Sequence, residues 1–311
     1  MRSLLQRLMP GRPGCLRRAG VLGLNGRNMN ILTAWNPKAL YGLANDKLAT
    51  KELCVAAGIA VAETYAVVDH PVQVRRLDRL VGAREEFVVK PARGAGGRGV
   101  VIVVGRRGED FVRVGGGAIS PAEMRDHLLE ILSGVYSIGG RADRAIVEQR
   151  LLGHPALAAG SAGGTPDVRI LLYRGEPAMA MLRLPTAASG GRANLHRAAM
   201  GIGLDLRTGA AVAAVCEGRV VDRHVDTGAP IGGISVPAWA EVLALARRLA
   251  AAIGLGYCGV DIVVDERGCP IVLEANGRPG LTIQIANRCG LLRRLAEIDE
   301  LLGEPASPGR C

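Results

Sequence analysis

Residues 259–276 read GVDIVVDERGCPIVLEAN, two apolar runs rich in β-branched residues around a polar, Gly-containing turn, a pattern that commits the region to a β-hairpin. With the turn at 265–268 and no bulge in the ladder, Asp261 faces Val272, and Asp261 and Glu274 become diagonal neighbours on one face. Asn276 continues that face at the strand end. Two carboxylates and an amide oxygen converging there form a hard, all-oxygen set suited to magnesium, which takes its remaining ligands from phosphates and water. The competing reading is a solvated hairpin edge with scattered acids. The apolar character of the strands and the Gly-Arg-Pro-Gly at 277–280 favour a site.

A second feature lies far upstream. Residues 88–100 read VVKPARGAGGRGV: Lys90 ends a short strand, and four glycines fall in the next nine residues. Glycine lets a backbone approach a polyanion and turn its N–H groups inward, and Lys90 at the mouth of the loop can neutralise a phosphate. No Gly-Lys-Ser/Thr follows, and a strand rather than a helix comes next, so neither a Walker A loop nor a dinucleotide fingerprint fits. A flexible hairpin loop remains the alternative.

The rest of the 311-residue chain sets bounds. At 49% apolar it can build a real core, as one large α/β domain or two to three small lobes. Aromatics are only 3%, so that core is made of Ala, Val, Leu and Ile. No apolar run is long enough to span a bilayer; the nearest, 242–253, is interrupted by Arg247 and Arg248. The seven cysteines are dispersed without a Cys-x-x-Cys pair and the five histidines without zinc spacing, which implies reduced thiols in a cytoplasmic protein. Of the net charge of +10, most sits in residues 1–45, which hold seven Lys or Arg and no acid. The remainder carries 32 basic against 29 acidic residues, without the basic, aromatic-bearing stripe of a nucleic-acid binder. Leu4, Leu5 and Leu8 give residues 1–9 a short apolar stripe, but with Ser3 alone the serine content of a transit peptide is missing.

Periodicity and punctuation predict a helix over 45–57 capped by Asn45 or Asp46, an extended run over 59–68 and a helix over 72–80. Strands are expected at 87–90, 100–104 and 145–151, with a helix over 121–132 that has Ser120 as N-cap and Pro121 in its first position. A mobile Ala/Gly-rich connection follows at 153–166, then a hairpin of 168–173 and 178–184 about Gly175. Helices close the pattern at 237–253 and 291–302, before a frayed tail.

Taken together and in this order, these features resemble the ATP-grasp superfamily, most closely the RimK-type glutamate ligases and among them the alpha-L-glutamate ligase-like branch. The resemblance runs from residue 45 to about 290. Asn-Asp-Lys-Leu-Ala-Thr-Lys at 45–51 is similar to the family's opening helix, and Lys47 and Lys90 stand where it places its two ATP-contacting lysines. Gly94, Gly96 and Gly97 correspond to the phosphate flap. Glu148, Gln149 and Arg150 correspond to the hinge that binds adenine, and Asp167, in an Asp-x-Arg strand, to a residue near the ribose. Gly191-Arg-Ala-Asn-Leu-His-Arg197 resembles the motif facing the triphosphate, which assigns Arg192 a catalytic part and Asn194 an ATP contact. Asp261, Glu274 and Asn276 fall on the metal ligands.

The resemblance implies an α+β ATP-grasp fold, with two lobes of antiparallel sheet, about 45–147 and 148–295, clamping ATP. A basic extension at 1–44 and a tail at 296–311 flank them. It implies ATP and magnesium as cofactors, with two ions expected and manganese as a substitute. The implied reaction is carboxylate–amine ligation through an acyl phosphate, adding a glutamate-like amino acid to a peptide, protein or small acid, with homo-oligomerisation an open expectation. The alternatives are a phosphotransferase acting on a non-carboxylate acceptor and a nucleotide-binding regulatory module without turnover. Two departures bear on the acceptor. About forty-five residues stand where RimK-type enzymes carry a full N-terminal lobe, so Trp35, Asn36, Pro37 and Tyr41 are expected to pack on the core, and the 153–166 segment is long. Arg278 stands where the family often has a small residue and is expected either to grip a substrate carboxylate or γ-phosphate, as a catalytic residue, or to cap a loop.

Overall fold

The computed structural model describes residues 13–94, 96–158 and 164–303. The expectations for 1–9, for the tail beyond 303 and for the middle of the 153–166 connection lie outside the described residues.

Alternating apolar runs build two antiparallel sheets. The first contains β1 (Thr64–Val68), β2 (Glu86–Pro91), β3 (Val101–Arg107), β4 (Asp110–Arg113), β5 (Ala118–Ile119) and β6 (Ala145–Glu148), in the order β1-β6-β2-β3-β4-β5. The second contains β7 (Asp167–Tyr173), β8 (Glu176–Leu184), β9 (Met200–Leu204), β10 (Ala211–Cys216), β11 (Arg219–Val220), β12 (Tyr257–Val264) and β13 (Pro270–Asn276), in the order β11-β10-β9-β8-β7-β12-β13. This is the α+β architecture expected from the sequence.

Each sheet is covered by helices whose apolar spacing fits one face. The helix Pro121–Leu132 starts at a capping box, Ser120 with Glu123, with Pro121 in its first turn. It buries Met124, Leu128, Ile131 and Leu132 against Phe87, Val89 and Phe111 of the first sheet. The helix Trp239–Ile253 buries Val242, Leu245, Ala246, Leu249 and Ile253 against the second.

The second sheet is buried on both faces. Val168, Ile170 and Leu172 of β7 point to the core under Trp239–Ile253. Leu171 and Tyr173 point to another core, with Leu22, Ile31, Leu32, Ile283 and Leu295. The N-terminal segment therefore belongs to this second layer, as expected for its aromatic residues. Trp35 meets Tyr173 edge-on at 5.9 Å, and Asn36 donates to the carbonyls of Tyr257 (2.7 Å) and Gly277 (3.1 Å) while accepting from the Tyr257 N–H.

Three local expectations are corrected. The helix over 72–80 is two short helices, Pro71–Val74, which starts at a His70–Gln73 capping box, and Leu77–Val81, which has no side-chain N-cap. The first sheet gains β4 and β5 and the second β9 to β11, strands too short or too Gly- and Ala-rich to show strong alternation. In the β12–β13 hairpin Asp261 faces Glu274 and Ile262 faces Val272, so Leu273 is a bulge. One extra residue shifts the register and makes the two carboxylates direct rather than diagonal neighbours.

Candidate functional site

The strand period decides what faces the gap between the sheets. On β7, β8 and β12 the face that carries Leu171, Met181 and Tyr257 also carries Asp167, Arg169, Arg183 and Asp261. Those charges end at a cavity of about 480 Å³ bounded on the other side by β2, β6 and the Gly-rich loop. Every site residue expected from the sequence lines this cavity: Lys47, Lys90, Gly94, Gly96, Gly97, Glu148, Gln149, Arg150, Asp167, Arg192, Asn194, Asp261, Glu274, Asn276 and Arg278.

The Gly-rich loop reaches across the gap. Asn194 Nδ2 donates to the Gly96 carbonyl (2.8 Å), Arg192 donates to the Val100 carbonyl (3.2 Å), and Lys47 Nζ donates to the Gly94 carbonyl (2.7 Å). Gly96, Gly97 and Gly99 have φ of 68°, 68° and 70°, a region that favours glycine. At Gly99 a Cβ would also lie 2.6 Å from the Tyr136 ring, so the end of the loop is pressed onto that side chain.

Lys47 is set by its helix. Asp46 caps Lys47–Ala56 through the N–H groups of Leu48 (3.0 Å) and Ala49 (3.4 Å), and Asp46 also accepts from Arg93 and Arg144 at the base of the loop. Lys47 then reaches Glu274 at 3.3 Å. One turn later Lys51, on the same helix face, is buried. Lys51 donates to Glu148 at 2.6 Å, to the Ala62 carbonyl and to Thr64. Glu148 also pairs with Lys90, so one carboxylate, 3% exposed, serves two lysines. Burial opposes its ionisation, but the charges of Lys90 and Lys51 outweigh that and hold its carboxyl below the ordinary value.

Behind the hairpin carboxylates sits a second buried network. Arg183 forks onto Asp167 (2.5 and 2.8 Å) and extends to Asp261 (2.7 Å). Arg169 forks onto the two Asp261 oxygens, both at 2.6 Å, and lies 4.0 Å from Glu274. Burial raises the Asp167 carboxyl above its usual value. Burial also works against Asp261, but Arg169 and Arg183 overcome it and keep Asp261 ionised far below the usual range.

This geometry bears on several expected roles. Asp261, 1% exposed, accepts from Arg169 on both oxygens and from Arg183 on one, whereas Glu274, which meets Lys47 and the Asn276 amide, and Asn276 are the half-buried, more open members of the expected ligand set. Their oxygens suit magnesium, and Asn276 donates its amide to Glu274 Oε1 at 3.2 Å, orienting the pair. Among the described residues no group of three His, Cys, Asp or Glu side chains forms a metal cluster. Asp167 pairs with Arg183, and Glu148 with two lysines. Gln149 and Arg150 are likewise held, by Glu63 and by Glu86 at 2.8 Å. The Asp-x-Arg strand leaves Arg169 paired within the sheet.

Arg192 has no carboxylate partner among the described residues. Burial, followed by the neighbouring Arg197 and Arg113, lowers its pKa. Arg278 lies with its guanidinium carbon 4.9 Å from the centre of the Tyr41 ring. Lys51 and Arg183 are functional-looking residues that sequence reasoning missed. Lys51 was visible as the i+4 partner of Lys47, and Arg183 as a lone charge in an apolar strand opposite Asp167.

Comparison with known proteins adds the family. A family model described as "Sugar-transfer associated ATP-grasp" matches residues 26–300. A protein named probable alpha-L-glutamate ligase in Xanthomonas oryzae pv. oryzae is 27% identical over 248 residues, covering 79% of this chain and 61% of that one. The chain thus spans about three-fifths of the length of the curated relatives it matches. Among solved structures, D-cycloserine synthetase DcsG is 19% identical with a TM-score of 0.49, covering 86% of this chain and 73% of that one. The ATP-grasp ligase PsnB in complex with its minimal precursor is 16% identical with a TM-score of 0.45, covering 87% and 63%.

Proposed function

This chain belongs to the sugar-transfer associated ATP-grasp family, and on that premise we propose that it activates a carboxylate with ATP and couples it to an amine. The observation that carries the proposal is the convergence, in one cavity, of the Lys90-led glycine loop, the Arg192–Asn194 segment against it, and Glu274 with Asn276 opposite.

In this reading the loop at 94–99 lies over the triphosphate, with its N–H groups and Lys90 facing the phosphates. Adenine is taken up at the 148–150 hinge, where the Gln149 side chain is held through its oxygen alone. A carboxylate oxygen of the acid attacks the γ-phosphorus, the bond to the bridging oxygen breaks, and ADP leaves. The amine nitrogen then attacks the acyl carbon, inorganic phosphate departs, and the amine proton goes to solvent. Arg192, half-buried and crowded by other arginines, supplies the positive field for the transferring phosphoryl group. Glu274 and Asn276 would hold magnesium, as one ion or a pair and replaceable by manganese, which neutralises charge on the phosphates during transfer. Closure of the loop keeps water from the acyl phosphate. The name of the curated relatives supports an amino acid such as glutamate as the amine.

Hydroxylamine trapping tests the reading. With ATP, magnesium and a panel of acids, a ligase releases ADP and yields a hydroxamate. ADP release without hydroxamate would instead mark a phosphotransferase, and no ADP release with any acceptor a regulatory module.

A further inference from the structure

The charge in the cleft exceeds what a nucleotide requires. Eight lysines and arginines line it against four carboxylates, so the wall is strongly positive. Lys47, Lys90, Arg169 and Arg183 each pair with a lining carboxylate, and Arg150 pairs with Glu86. Arg98, Arg192 and Arg278 have no carboxylate partner among the described residues. A triphosphate carrying one divalent ion brings about two negative charges, and with a pair of ions about none. The reacting carboxylate adds one more negative charge, which the acyl phosphate and ADP carry between them after transfer. With a pair of ions bound, at least one cation is left without an anion.

Position identifies which one. Arg98 is on the glycine loop, and Arg192 lies against the loop at Gly97 and Val100, so both serve the phosphates. Arg278 follows β13 on the opposite rim. Its guanidinium carbon lies over the Tyr41 ring, 4.9 Å from the centre, and Tyr41 is itself wedged against Gly277, where a Cβ would come within 2.7 Å of the ring. A guanidinium held over a ring by cation–π attraction keeps N–H donors for a carboxylate or phosphate. Tyr41 comes from the N-terminal segment and Arg278 from the hairpin exit, so the pair joins two elements at the rim of the cavity.

We infer that the acid substrate carries, beyond the carboxylate that reacts, a second anionic group held by Arg278 in the orientation set by Tyr41. The inference rests on the ligase reading and names its acid as dianionic. A charge-assisted, two-pronged contact of this kind is worth about 10- to 100-fold in affinity.

The test pairs binding with turnover. Glutarate, its monomethyl ester and phosphonopropionate are titrated by calorimetry into the full chain saturated with magnesium and a non-hydrolysable ATP analogue. The same acids are then assayed for hydroxamate with ATP. The diacid is expected to bind about 10- to 100-fold more tightly than the ester, and Arg278→Met to abolish most of that difference. Tyr41→Leu is expected to weaken the diacid in the same direction but less. Comparison with phosphonopropionate shows whether the second group is a carboxylate or a phosphate. An ester that binds as well as the diacid, or a preference that survives in Arg278→Met, overturns the assignment. Diacid binding that depends on Arg278, without hydroxamate from any acid, supports the anion site and sinks the ligase reading alone.

Discussion

Glu148→Gln removes the one negative charge shared by Lys51 and Lys90. All three groups are buried, with side-chain exposures of 9%, 4% and 9% for Lys51, Glu148 and Lys90. The amide keeps the shape and one acceptor oxygen but leaves two ammonium groups facing each other without a counter-charge. Breaking a buried pair by removing one partner destabilises by about 3–5 kcal/mol, which for a chain of this size lowers a urea midpoint by on the order of 1 M. The pH dependence has a defined sign. The folded Glu148 carboxyl is held below its usual value of 4.5, so its stabilisation is fully present above that pH and is lost as pH falls through the lower, folded value. The gap in midpoint between wild type and Glu148→Gln is therefore expected to be constant near neutrality and to narrow below about pH 4.5. Lys51→Met added to Glu148→Gln is expected to recover part of the loss, because one uncompensated cation goes with it. Equilibrium urea unfolding at several pH values reads all three. A neutral-pH midpoint within about 0.2 M of wild type, or a gap that widens on acidification, would refute the shared-charge argument.

Gly99→Ala combines a φ of 70° with a Cβ placed 2.6 Å from the Tyr136 ring, and is expected to destabilise by roughly 2–4 kcal/mol. Gly97→Ala meets only an ordinary 3.4 Å contact with Arg192 and is expected to lose less. Tyr136→Ala should rescue part of the Gly99→Ala defect, as read by hydrogen exchange of residues 94–99. Arg183→Met strips Asp167 and Asp261 of their shared guanidinium and is expected to lower stability by about 3–5 kcal/mol, with Arg183→Lys a poor rescue because an ammonium cannot span both carboxylates.

Much of this was legible where apolar alternation met punctuation. The β12–β13 hairpin, the Ser120–Pro121 helix start and the β7–β8 turn at Arg174–Gly175 all carry their own signals; both turn residues have positive φ, as a tight hairpin requires. The bulge at Leu273 carried none, since an extra residue in a ladder has no compositional mark, yet it decides that Asp261 meets Glu274 directly. The residues converging on the cleft were readable as motifs, but their partners were not. Spacing alone could not say that Asp261 and Asp167 would be claimed by Arg169 and Arg183. Those pairings follow from strand order, which brings β8, β7 and β12 side by side, and that order is set by long-range packing. Residues 20–45 held the least signal, because they form short helical pieces whose role is to cover the outer face of a sheet already built.

The most direct test of the central claim is calorimetric titration of the full chain with a non-hydrolysable ATP analogue, with and without magnesium, in wild type and in Lys90→Met and Glu274→Gln. Stoichiometric binding that magnesium strengthens, weakened by Lys90→Met and made insensitive to magnesium by Glu274→Gln, is the expected result. No nucleotide uptake by the folded wild type, or magnesium-dependent binding indifferent to both substitutions, would contradict the account.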